Sequence, residues 1–148
     1  MEIAIAVFIL LLLVMLAVPS LNGVLKDRRL RHSLDSLNGL VRQAQERSVA
    51  ERRSYLIIWN KDALALRTET YSKGEKAGPV ATLRVSPGDS FSLKLPAALI
   101  KDAPAEWIFW PSGTCEPATI GFKGNDGHWT ATYSPLTARP TLSNYATK

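Results

Sequence analysis

The sequence predicts an α+β protein, with one long, kinked N-terminal helix packed on a small antiparallel β-domain of about seven strands, set as two sheets or a partly open barrel. Three observations carry that expectation. Residues 3–25 contain no charge, Leu30, Leu34, Leu37, Val41 and Ala44 follow at helical spacing, and from Tyr55 onward short apolar runs alternate with turn residues. The chain therefore divides into 1–25, a transmembrane half-helix; 26–53, an amphipathic half-helix; and 54–148, a β-domain. At 148 residues it builds one modest core.

The first element is unbroken apolar from Ile3 to Val18 and continues through Pro19 to Leu25. As helix it is about 34 Å long, which matches a hydrocarbon layer of roughly 30 Å. A cleaved secretory signal begins with basic residues, whereas only Met1 and Glu2 precede this run. Glu2 places an acid at the mouth of the span, where burial of a charge is costly. Pro19 removes a backbone donor and crowds the carbonyl of Met15, so a bend or local melt is expected there, with Asn22-Gly23 softening the next turn. Lys26, Arg28, Arg29 and Arg31 lie directly behind the span and no basic residue lies before it, so the positive-inside rule, applied to these residues alone, puts the C-terminal domain in the cytoplasm.

Helix continues with good formers to about Arg53, now with one narrow apolar stripe on a charged surface. Such a stripe is expected to pack on the chain's own domain. The net charge of +5 is concentrated here, in Lys26, Arg28, Arg29, Arg31, Arg42, Arg47, Arg52 and Arg53. That crowding suits anionic lipid head groups, acidic partner subunits or a solvated helix face.

Tyr55 to Trp59 and Ala63 to Arg67, joined by Asn60-Lys61-Asp62, read as a hairpin. Val80 to Val85 and Ser90 to Leu95 follow, joined by the turn Ser86-Pro87-Gly88-Asp89, with Phe91, Leu93 and Leu95 on one side. Further strands are expected at Glu106 to Trp110, Thr119 to Lys123 and His128 to Tyr133, separated by Pro111-Ser112-Gly113 and Gly124-Asn125-Asp126-Gly127.

Constellations for catalysis are sparse. His32 lies among arginines and His128 beside a turn, neither in a motif that implies a partner. Cys115 is the sole cysteine, which rules out an intrachain disulfide, and it reads as a small buried thiol. Asn125-Asp126-Gly127 reads as a hairpin turn before a calcium loop, and Asp89 and Asp102 read as turn residues. Trp107, Trp110, Trp129 and Phe109 read as core or sheet-face aromatics. Neither a metal-ligand spacing nor a glycine-rich phosphate loop is present, so no catalytic residue, metal or cofactor is expected.

A span led by Glu2, with Pro19 seventeen residues on and an amphipathic helix and small β-domain behind it, resembles type IV pilins and the pseudopilins of type II secretion. Within that superfamily, Val41 to Arg53 resembles the helix end of minor pseudopilins of the general secretion pathway protein H (GspH/FimT) type. Ile108-Phe109-Trp110-Pro111-Ser112-Gly113 resembles their Phe-x-Pro-x-Gly turn, and Pro135 to Pro140 their C-terminal Thr-Gly-Arg close, with Ala138 in place of Gly. The resemblance implies a structural subunit of an envelope-spanning fibre, most closely that of type II secretion. It implies that a basic leader ending in Gly, and three further residues, stand upstream of Met1. A prepilin peptidase would cut that leader, and the new terminus would be methylated.

With that leader the N-terminus is cytoplasmic, and the C-terminal domain is periplasmic on a single pass through the bacterial inner membrane. Glu2 then aligns with the family glutamate that meets a neighbour's α-amino group, and Pro19 with its kink. The implied partners are other pilins or pseudopilins, the inner-membrane assembly platform and the lipid bilayer. Two alternatives stand beside this. One is a minor type IV pilin that binds DNA for uptake, with Arg139 and Lys148 as contacts, a thin footprint for phosphates. The other is an unrelated membrane-anchored β-domain.

Overall fold

A computed structural model describes residues 2–76, 78–96 and 105–148. Helix α1 spans Glu2–Glu51, about 75 Å at 1.5 Å per residue. It runs unbroken through Asn22-Gly23, while the bend or local melt expected at Pro19 falls on residues 17–20, which lie outside the described side chains. At its end Arg52 adopts a left-handed conformation (φ 53°), which breaks the repeat and releases the chain into the sheets.

Eight strands follow among the described residues: β1 Tyr55–Trp59, β2 Ala63–Thr68, β3 Ala81–Arg84, β4 Ser90–Lys94, β5 Glu106–Phe109, β6 Ala118–Gly124, β7 Gly127–Tyr133 and β8 Pro140–Thr147. They form two four-stranded antiparallel sheets, ordered β3-β2-β1-β5 and β4-β6-β7-β8, so the two-sheet arrangement holds and the barrel does not. The eighth strand corrects the expected count. Pro140 stands at the first position of this edge strand, where a missing donor is tolerated, and β8 pairs with β7 through a register shift at Thr130/Ala131.

Ser86-Pro87-Gly88-Asp89 forms the expected turn, with the Asp89 N–H donating to the Ser86 carbonyl at 3.0 Å and Gly88 at φ 89°. The strands it joins do not pair with each other. β3 lies in the first sheet and β4 in the second, so this turn carries the chain between layers.

The core lies between the two sheets and under the second half of α1. Tyr55, Ile57, Leu64, Leu66, Trp107 and Phe109 enter from the first sheet, and Ile120, Phe122, Trp129, Ala131 and Tyr133 from the second. Alternate strand residues point to one face, which is why the buried positions of β2, β6 and β7 recur every second residue. In the second sheet one rung places Phe91, Phe122, Trp129 and Tyr145 side by side on four strands. The Phe122 and Trp129 rings stack at 5.6 Å, and Phe91 meets Phe122 at 4.9 Å. Trp107 contacts Tyr133 at 5.0 Å edge-on, tying sheet to sheet.

Candidate functional site

The helix is two different objects along its length. From Leu30 onward the stripe is sealed: Leu30, Leu37, Val41 and Ala44 are buried, Leu34 packs beside them, and Leu40 and Ser48 join the covered face. The expectation that the stripe packs on the chain's own domain is met. Before Leu25 the described side chains are bare on every side, with Ile3 81%, Phe8 65% and Met15 75% exposed. This stem is long and apolar enough to cross a membrane. Glu2, at the start of this stem, is exposed.

Polar groups beside the stripe latch the sealed half to the sheets. Trp129 Nε1 donates to Ser33 Oγ at 2.8 Å, and Tyr133 Oη to Asn38 Oδ1 at 2.6 Å. Tyr145 Oη donates to Asp27 Oδ1 at 2.6 Å, and Gln45 Nε2 to the Gly113 carbonyl at 2.7 Å. The Tyr145 hydroxyl, helped by Arg31, holds the Asp27 carboxyl below its ordinary value. Gly113 sits at φ 85° and a Cβ there would lie 3.3 Å from a Val49 methyl, so the loop approaches the helix closely only as glycine. The sequence reading missed these latches because isolated polar residues on a helix look solvated. The available signal was their position, flanking the stripe at 33, 38 and 45.

Beyond the helix end, Arg53 grips Glu75 with two guanidinium nitrogens at 2.7 and 2.8 Å and also bonds Glu51, which accepts from Tyr55 Oη at 2.6 Å. This network fastens the loop after β2 to the helix terminus.

Arg139 and Lys148 are both exposed but flank β8 at opposite ends, about 30 Å apart along the strand, so they share no phosphate-binding patch. Lys148 instead lies at the stem end of the domain, its N–H on the Asp126 carbonyl at 3.0 Å and its carbonyl accepting from Lys26 Nζ at 3.2 Å. Asn125 and Asp126 form the hairpin turn between β6 and β7, and Asp126 pairs with Arg29 at 3.7 Å. Gly127 in that turn is obligatory, since at φ 149° a Cβ would stand 2.2 Å from the Ala146 carbonyl oxygen. Asp89 is half-buried in its turn, which pushes its carboxyl up. Asp102 lies outside the described residues.

Cys115 is buried, its Sγ 3.6 Å from the Ser134 carbonyl, and burial with the neighbouring Glu116 pushes its thiol up to about 11. Such a thiol stays protonated at neutral pH. Trp107, Trp129 and Phe109 are core residues, while Trp110 is 38% exposed. His32 is exposed on the helix and His128 is half-buried on β7. Among the described residues no group of His, Cys, Asp and Glu is placed to hold a metal ion.

A helix docked on two four-stranded antiparallel sheets is a fold this chain shares with solved structures of a type IV minor pilin and a minor pseudopilin. The structure is similar to the type IV minor pilin FimU of Pseudomonas aeruginosa, with a TM-score of 0.59 and 19% identity over 81% of this chain and 94% of that one. It is also similar to the minor pseudopilin EpsH from the type 2 secretion system of Vibrio cholerae, with a TM-score of 0.54 and 16% identity over 80% of this chain and 96% of that one. At these identities the likeness is one of fold. No protein-family model and no curated protein sequence matches the chain.

Proposed function

We infer that this chain is a structural minor subunit of an envelope-spanning, pilus-like fibre, most consistent with a pseudopilin of type II secretion. The observation that carries the reading is the contrast along α1, a half sealed against the domain and a stem that, among the described residues, is bare. Such a stem is stable in lipid, and equally in a bundle of like stems. Moving from one to the other exchanges apolar neighbours without exposing side chains to water. In the bundle Glu2 is the group with most to lose, since a carboxylate among apolar stems needs a counter-charge, and a neighbour's α-amino group would supply it. Pro19 is the point at which the stem would bend as it packs. On this reading the domain is periplasmic, the partners are other pilins or pseudopilins and the assembly platform, and the chain is not a catalyst.

The test is incorporation into shed or sheared fibres. Glu2→Ala and Glu2→Gln are expected to leave a folded, membrane-inserted chain and to remove it from the fibre fraction. Wild-type incorporation of both variants would overturn the assembly role. Loss of exoprotein secretion on deletion would mark the type II machine, and loss of surface pili a type IV pilus.

A further inference from the structure

Where α1 leaves the stem, a cleft of about 850 Å³ opens between the helix and the domain. Its floor is apolar, from Leu30, Leu83, Phe91 and Phe122, and its rim carries Arg28, Arg29, Arg31 and Arg84 against Asp35, Asp89 and Asp126. Two of those arginines are engaged, Arg29 with Asp126 and Arg31 with Asp27. Arg28 on the helix and Arg84 at the end of β3 are exposed and form no salt bridge among the described residues. Long side chains with free guanidinium heads on opposite walls of an apolar cleft suit one divalent or bidentate oxyanion, which a guanidinium fork binds through paired N–H bonds.

The position of the cleft says where such an anion would come from. Arg28 lies three residues beyond Leu25, about 5 Å along the helix axis. With the apolar stem filling the roughly 30 Å hydrocarbon layer, that rise falls within the head-group layer, which adds about 5–7 Å on each side. Lys26, Arg29 and Lys148 gather at the same level. We propose that this cleft binds the phosphodiester head group of an anionic phospholipid, held between Arg28 and Arg84, with the glycerol and first methylenes over the apolar floor. Bound lipid seats the domain against the bilayer at a fixed height. The inference rests on the membrane span and not on fibre assembly, so it stands or falls separately from the role of Glu2.

Native mass spectrometry of the full chain in non-ionic detergent, titrated with phosphatidylglycerol or phosphatidylcholine, tests this. One phosphatidylglycerol is expected to be retained in preference to phosphatidylcholine. Arg84→Gln is expected to weaken retention about five-fold, Arg84→Lys to restore only part of it because the charge returns without the fork, and Lys123→Gln, an exposed cation outside the cleft, to leave it unchanged. Arg84 is the informative position because it reaches the site from the sheet, remote in sequence from the span. Retention unaffected by Arg84→Gln, or weakened equally by Lys123→Gln, would reduce the effect to diffuse charge and overturn the site. Displacement of the lipid by excess inorganic phosphate would make a small soluble anion the ligand and overturn the lipid assignment. Unchanged near-ultraviolet circular dichroism shows that each variant is folded.

Discussion

Truncating Leu37 to alanine tests the central division of the helix. Leu37 is fully buried beneath the sheets, whereas Leu12, 25 residues earlier on the same helix, is 46% exposed and lies outside the core cluster of the described residues. Leu37→Ala removes three buried carbons, about 2.4 kcal/mol at ~0.8 kcal/mol each. The void adds about 1 kcal/mol for every 40 Å³ that the core fails to refill, for a total of about 3–4 kcal/mol. At about 4 °C per kcal/mol for a domain of this size, the midpoint falls by about 12–16 °C. Leu12→Ala is near neutral for helix propensity and removes nothing from the core, so its midpoint shift stays within about 1 °C. The assay is thermal unfolding of the full chain in detergent micelles, followed by the near-ultraviolet circular dichroism of Trp107 and Trp129. A loss under about 1 kcal/mol for Leu37→Ala, or equal losses for the two variants, would refute the partition.

Three further outcomes are expected. Tyr133→Phe leaves Asn38 Oδ1 without its 2.6 Å donor and lowers stability by about 1 kcal/mol in urea unfolding; no change would mean that the latch is idle. Ala138 occupies φ 51°, where L-residues pay about 1–2 kcal/mol, so Ala138→Gly is expected to be neutral or stabilising, while Ala131→Gly in a buried strand costs about 1 kcal/mol or more. Equal losses at the two sites in the same urea assay would contradict the strain at Ala138. Arg53, then the Ser72 N–H, hold the Glu75 carboxyl down to about 2 from an ordinary 4.5. Its folded value is depressed, so its contribution is complete above about pH 4.5 and is lost as pH falls towards 2. Carbon NMR of the Glu75 carboxyl should show that late titration, and a midpoint near 4.5 would show that the grip of Arg53 is absent in solution.

Much of this fold was legible because local patterns carry it. The stripe from Leu30 to Ala44 repeats at the helical period, and a face so patterned must be covered. Tyr55 to Trp59 is observed as read, and Phe91 and Leu93 face the core as their alternation implies. Three features were not legible. β8 lies at a sheet edge with Thr141 to Asn144 exposed, so its residues lack the alternation that burial imposes. The turn at Ser86 to Asp89 has the same local chemistry whether its flanking strands pair or diverge into separate sheets, because pairing is decided by residues far away in sequence. The latches at Asp27, Ser33, Asn38 and Gln45 depend on which side chain stands opposite.

The sequence alone determined the period and polarity of each segment: an uncharged stem behind Glu2, one sticky helix face, short alternating strands and the seventeen-residue interval to Pro19. These follow from side-chain spacing on a regular backbone, and neighbours in the chain suffice to express them. Only the tertiary structure decided which half of the helix is sealed by which sheet, that Arg139 and Lys148 stand at opposite ends of one strand, and that Arg28 and Arg84 face a common cleft. Those relations join residues tens of positions apart, and close packing of the two sheets against the helix is what sets them.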